Sequence, residues 1–385
     1  MKRRGSKRTN RSVFVAKKIV FVLIILSFVP YVQFQLAAVR PSPTKPKSSY
    51  CFGPNQIMKS VDDIRRCYPK EMVRKLPSPS CDTIEDWEDV QKCLTGRFVK
   101  NILSDSSIHI IGERNSGTKF IMHEVQKCFL SKNSKKGVAG THIGKIHRDF
   151  LRSKHFFQPV VRGAHTHSFV IAIFRDPVEW VAAMREQPYH SPNHIAGFSD
   201  TEFSPLPWEF FVSKPWSMER SDFDKELLSD QNKFNQFFKS GNKCHHRFMF
   251  SEVTPCLNSS IAIPNDHLRG YYPVYELRRD GSGKPFENIV SLRSDKIVNF
   301  LLQVPMLLDL GGYMAVRYED LLANGTRPFL EHVSRMIGLE GHLPDHCQPT
   351  EPQPDRIGRR HIPIKMRQWV DQHVDGKIER LLGYR

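Results

Sequence analysis

No aspartate or glutamate occurs among the first 18 residues. Lys2, Arg3, Arg4, Lys7, Arg8, Arg11, Lys17 and Lys18 therefore stand unneutralised ahead of Ile19. Cysteine is also missing from this end: all 8 cysteines lie between Cys51 and Cys347. None of their spacings is that of a zinc site, which argues against a zinc finger or ribbon. No internal repeat is apparent, which leaves a solenoid without support. Composition is otherwise ordinary for a globular chain, at 39% hydrophobic and 25% charged, and 385 residues suffice for a large core and one or two domains.

What is present begins with an apolar run, IVFVLIILSFVPYVQFQLAAV, from Ile19 to Val39. It is about long enough to cross a bilayer, although Pro30, Gln33 and Gln35 weaken its far half. The basic cluster before it places the N-terminus in the cytoplasm and the rest in the lumen. A cleaved signal peptide is the rival reading, with a shorter apolar region and smaller basic leader as its usual marks. Asn258-Ser259-Ser260 and Asn324-Gly325-Thr326 are glycosylation acceptors in a luminal protein. An even cysteine count in an oxidising compartment predicts disulfides, with Cys81–Cys93 and Cys244–Cys256 as local loops; buried free thiols, such as Cys128, are the alternative. Of the net charge of +17, removing the eight leading cations leaves +9. That remainder suits phosphates, sulfates or acidic glycans, and the secretory address argues against nucleic acid.

The expected organisation is a cytoplasmic basic tail over 1–18, a single-pass anchor over 19–39, a Pro/Ser/Lys stem and cysteine-bearing lead-in over 40–103, and a catalytic domain over 104–385. From Ser107 onward apolar strands alternate with amphipathic helices, which predicts an α/β domain with a parallel sheet. Strands are expected at 108–111, 169–174 and 314–318, and helices at 119–129, 329–339 and 364–382. The segment from about Tyr189 to Asn265 reads as insertions over an active face.

IHIIGERNSGTKFIMHEV, from Ile108 to Val125, has the strand, glycine turn and helix of a phosphate-binding loop. Gly112 and Gly117 carry nucleotide-triphosphatase spacing, but Thr118 precedes Lys119 and Phe120 follows it. The hydroxyl that would hold magnesium is therefore lost, which argues against a magnesium-dependent triphosphatase. Arg114 and Lys119 can add charge, and Ser116 and Thr118 hydroxyl donors; the plain alternative is a surface glycine turn. In IAIFRDPVEW, Ile171 to Trp180, Arg175 ends an apolar strand, where α/β ligand sites lie. It suits a second phosphate; its alternative is an ion pair with a carboxylate. Asp176, Pro177 and Glu179 read as helix-capping residues.

In this order, G-x-R-x-S-G-T-K and an apolar strand ending in Arg-Asp-Pro resemble the sulfotransferase family over roughly Ser107 to Arg185. RYEDLL, Arg317 to Leu322, and the closing IERLLGYR resemble it further on. The resemblance implies a three-layer α/β sandwich with a central parallel sheet and a P-loop-like turn, here preceded by one transmembrane helix. It also implies that PAPS (3′-phosphoadenosine 5′-phosphosulfate) is the donor, with no metal required. The first loop, Arg114, Asn115, Ser116, Gly117, Thr118 and Lys119, would bind the 5′-phosphosulfate, and Arg175 the 3′-phosphate. Gly358, Arg359 and Arg360 resemble a basic loop that closes over the nucleotide in some members; a solvated turn is the alternative. Two departures stand out: Asn115 replaces a usual lysine or arginine, and Ala183 replaces a usual serine that shares the 3′-phosphate.

The implied reaction is sulfuryl transfer to a hydroxyl of a glycan or other secretory-pathway acceptor, on a Golgi membrane. Lys119 is expected to serve the leaving group. The general base is left between His155, which follows Lys154 as a Lys and His pair does in some members, His123, and others including Glu124 and His142. The acceptor is expected to be polar, an anionic one included, with Tyr189 to His194 nearby and Trp180, Trp208 and Trp216 available to stack on sugars. Two other readings remain. One is a metal-dependent type II glycosyltransferase using Asp222-Phe223-Asp224; the other is an inactive sulfotransferase-like binding protein, which Ala183 favours.

Overall fold

A computed structural model describes residues 83–95, 107–129, 150–153, 168–198, 203–216, 222–230, 275–278, 284–307 and 310–385, with a few single positions besides. The expected anchor and stem lie outside the described residues, as do Cys51, Cys67, His142, His155, Cys244, Cys256 and Asn258. Among the described residues, no helix is long and apolar enough to cross a membrane.

The strands are β1 (Ser107–Gly112), β2 (Phe150–Ser153), β3 (Ser168–Phe174), β4 (Ile195–Phe198), β5 (Phe203–Pro205) and β6 (Gly312–Arg317). Four of them form an all-parallel sheet in the order β2-β1-β3-β6, while β4 and β5 pair separately as an antiparallel hairpin. All of β3 is buried, as a central parallel strand covered on both faces should be. The helices are α1 (Trp87–Cys93), α2 (Thr118–Phe129), α3 (Pro177–Glu186), α4 (Trp208–Ser213), α5 (Asp222–Ser229), α6 (Ile289–Ile297), α7 (Tyr318–Asn324), α8 (Arg327–Met336), α9 (Ile364–His373) and α10 (Gly376–Arg380). α6 continues through a π-helical stretch, Val298–Gln303, into Val304–Leu307.

The two-residue period of β3 sorts its side chains between two cores. Val170, Ala172 and Phe174 pack with Tyr313, Ala315 and the Ile297–Met306 stretch. Phe169, Ile171 and Ile173 pack with Ile121 and Val125 of α2 and Leu330 and Val333 of α8. Each large apolar side chain buried this way contributes about 1.5–3 kcal/mol. The molecule is thus an α/β sandwich with helices on both faces of a parallel sheet. A third cluster joins α3, α4, α6 and α9 through Trp180, Phe211, Trp216, Leu292 and Val370.

Several elements differ from the sequence expectation. The helix expected over 364–382 breaks after His373, and Asp375 restarts it by accepting from the amides of Lys377 and Ile378. The helix expected to reach Leu339 stops at Met336, just before Gly338 at φ +84°. α1 and α6 were not anticipated. α1 lies in the lead-in, yet its Val90, Cys93 and neighbouring Leu94 belong to the same core as β3. Gln91 donates to the Ala315 carbonyl at 3.1 Å and the Ala315 amide donates to Thr95 at 3.4 Å, so this segment covers the β6 edge. Cys81 is bonded to Cys93 as expected. Cys128 is not a buried thiol but is bonded to Cys347, which ties the end of α2 to the segment after α8.

Candidate anion-binding site

β1 ends at Gly112, where a Cβ would lie 2.7 Å from the Ile173 carbonyl oxygen of the neighbouring strand. The chain then turns through Asn115 at φ +62° and Gly117 at φ +101° and enters α2 at Thr118. Ile121 donates to the Gly117 carbonyl at 3.1 Å, so the first amides of α2 precede any intrahelical partner. They present partial positive charge at the turn. The Ser116 hydroxyl donates to the Glu113 carbonyl at 2.7 Å, so its proton is committed to the turn itself. Thr118 is buried at the first position of the helix.

The charged residues divide into buried and open ones. Arg114 is 1% exposed: its guanidinium pairs with Glu276, donates to the Tyr189 carbonyl and lies over the Trp216 ring. Its charge is matched beneath the turn, and it anchors the loop from below. Lys119 is exposed in the first turn of α2 and has no ion pair among the described residues. Full charge at the open side of the loop therefore rests on Lys119. His123 lies one helical turn further along the same face, 76% exposed, with Nδ1 3.8 Å from Glu124. Glu124 itself is buried. Burial alone would raise its pKa, but hydrogen bonds from Thr326 and Thr350 outweigh that and lower it. Those bonds hold it as a structural tie between α2 and the downstream segment.

Arg175, at the end of β3, reaches back to this turn. It donates to the Asn115 carbonyl at 3.2 Å, pairs with Glu179 at 3.3 Å and lies over the Tyr318 ring. Burial first, and then neighbouring Arg360, lowers its pKa. Arg360 shares the same Glu179 oxygen at 3.4 Å and also pairs with Glu186. The ion-pair reading of Arg175 is thus met, and it shares one carboxylate oxygen with a second guanidinium at the edge of the turn. Arg359 is exposed beside Gly358. A cavity of about 370 Å³ opens next to Arg175, lined by Tyr318, Glu319, Arg356, Ile357 and Tyr384 among others.

Asp176 caps α3 as the sequence suggests, accepting from the amides of Val178 and Glu179. Its own amide is taken by Glu319 at 3.0 Å, which frees the Glu179 carboxylate for the arginines. Asn115 donates to the carbonyls of Ala183 at 3.1 Å and Gln187 at 3.0 Å. Ala183 therefore meets the loop through its backbone. Trp180 and Trp216 are fully buried and do not offer faces to a sugar; the Trp180 indole donates to the Arg114 carbonyl at 2.7 Å. Ser191 and His194 are buried too, and burial, with Lys214 and Arg114 nearby, lowers His194 to about 3. Asp222 is exposed at the start of α5 and pairs with Lys225 at 3.3 Å.

Under the loop lies a buried charge network that sequence reasoning missed. Arg293 of α6 pairs with Glu113 at 2.7 Å and with Glu379 at 2.6 Å. Lys296 pairs with Glu276, the partner of Arg114. Arg293 serves two carboxylates, and burial pushes Glu113 up to about 7. Burial, with Arg114 alongside, holds Lys296 well below the ordinary lysine range. The Arg175–Glu179 pair could have been found from its four-residue helical spacing; the Arg293 contacts span 86 and 180 residues and leave no local signal. No protein-family model matches the chain, and no curated protein matches it.

Proposed function

We propose that the chain is a PAPS-dependent sulfotransferase that moves a sulfuryl group to a hydroxyl of a glycan or other secretory-pathway acceptor, anchored in the Golgi membrane with its catalytic domain in the lumen. The observation that carries this reading is the placement of Arg175 against the Asn115 carbonyl. It sets a partly buried cation beside an amide-lined turn at a helix N-terminus, so two anion-binding features adjoin, as a nucleotide with phosphates at both ends requires.

In this reading the amides of the turn and Lys119 hold the 5′-phosphosulfate, while Arg175, with Arg360 nearby, holds the 3′-phosphate. The acceptor oxygen attacks sulfur, the bond from sulfur to the bridging phosphate oxygen breaks, and Lys119 offsets the charge that develops there. His123 stands one turn beyond Lys119 on an open face, and His155 remains the other candidate base. No metal has a role in this mechanism. Glu179 occupies Nη2 of Arg175 and the Asn115 carbonyl Nη1, so an anion reaching Arg175 competes with these contacts.

The test is calorimetric titration of the purified protein with PAP, the desulfated product of PAPS, against ADP, ATP and UDP, each with and without Mn²⁺. The expected outcome is metal-independent PAP binding that weakens by about 10–150-fold in Arg175→Ala, the worth of a charge-assisted hydrogen bond. UDP binding that needs Mn²⁺, with none for PAP, would replace this reading by the glycosyltransferase one. PAP binding without sulfuryl transfer to any hydroxyl acceptor would favour the inactive relative.

A further inference from the structure

The register of β1 on β3 ends at the pair Gly112–Ile173. Beyond it the two strands run into the anion-binding turn and into Arg175-Asp176, and no ladder fixes the distance between them. Arg293 occupies that gap from below. Its Nη1 donates to Glu113 at 2.7 Å and its Nη2 to the Arg175 carbonyl at 2.7 Å. Its Nε and Nη2 together grip Glu379 of α10 at 2.6 and 2.9 Å. Trp180 lies against the guanidinium, 5.3 Å to the ring centroid, and takes the next carbonyl of the turn, that of Arg114. One planar group thus joins the first residue of the turn, the backbone of the second anion site and the C-terminal helix.

The geometry points to Arg293 as a positioning residue that sets the spacing between the two anion sites. A buried ion network costs desolvation and stabilises a fold little more than apolar packing would, so what it adds here is geometry. Only a guanidinium offers donors in a rigid fork that can meet three segments at once; an ammonium cannot. Fixed spacing matters to a ligand that spans both sites. It does not matter to one that uses a single site, because only the spanning ligand gains from a second contact already in place. The inference rests on the sulfotransferase reading, in which that ligand is adenosine 3′,5′-bisphosphate.

The experiment compares PAP with 5′-AMP and 3′-AMP, each of which reaches one site, on the full-length protein and on Arg293→Lys. Thermal unfolding is followed in parallel. The wild-type protein is expected to prefer PAP over either monophosphate by about 100-fold or more, and Arg293→Lys to lose about tenfold or more of that preference while monophosphate affinities change by less than about threefold. Glu379→Gln, which loosens the grip from the α10 side, should shift the preference in the same direction and serves if Arg293→Lys does not fold. An unchanged preference in both variants, or a parallel loss for all three nucleotides, overturns the inference and leaves only a structural role. A wild-type protein with no preference for PAP overturns the functional reading as well, and that result is visible before any variant is made.

Discussion

Gly117 shows how little room the candidate site leaves. At φ +101° it adopts a conformation that L side chains rarely take, and a Cβ there would lie 2.6 Å from the Tyr318 ring on which Arg175 rests. Gly117→Ala is expected to cost about 2 kcal/mol or more in chemical denaturation, from backbone strain and displacement of Tyr318. Glu113 makes a different prediction. Its pKa is raised from 4.5 in the unfolded chain to about 7 in the fold. The folded protein therefore keeps a proton that the unfolded chain has released, and the Glu113 contribution declines as pH rises through that window. His194, lowered from 6.5 to about 3, acts oppositely: its contribution is present above 6.5 and is lost as pH falls toward 3. The two slopes oppose each other where the windows overlap. Glu113→Gln should remove the falling limb, leaving a melting temperature that rises more steeply with pH across the overlap. At this scale Arg175 was legible, because a strand end and a helix start bracket it in sequence. Arg293 was not, because its partners lie far along the chain.

At the scale of elements, β1, α2 and β3 were legible because each carries a strong apolar period with turn residues at its end. α6 was not. Its charged residues Arg293, Asp295 and Lys296 break any apolar period in the sequence, yet all three are buried. A charge normally marks the outside of a helix, and a network that satisfies charges inside inverts the signal. The loop itself could be placed from its glycines. What sequence could not show is that Arg114 turns under it and that Asn115 binds the end of α3. Trp180 and Trp216 look like sugar platforms on paper, but they are floor beams of the loop in the fold.

At the scale of the whole molecule, the lead-in is part of the domain's core. Its Val90, Cys93 and Leu94 close an apolar cluster, and Gln91 and Thr95 satisfy the β6 edge at Ala315. A fragment beginning at residue 104 would expose that cluster and an unpaired sheet edge, which promotes aggregation. It is expected to be recovered insoluble, or to melt about 5 °C or more below a fragment beginning at Ser48, when both are compared by soluble yield and scanning calorimetry. The sequence pointed to the α/β class through its alternating elements. It could not show which segment guards the edge of the sheet, because that contact joins residues about 220 positions apart.

The two disulfides among the described residues also set a timetable for synthesis. Cys93 meets Cys81 after 12 residues, while Cys128 must wait through 219 residues for Cys347. At about 5–20 residues per second the second wait lasts roughly 10–40 s. During that interval Cys128 of α2 lacks its partner while Cys244 and Cys256 emerge. Of the two helices that these bonds tie, the one that begins at the candidate anion-binding turn is secured second. Early burial of Cys128, or later thiol–disulfide exchange, would keep it from the wrong bond.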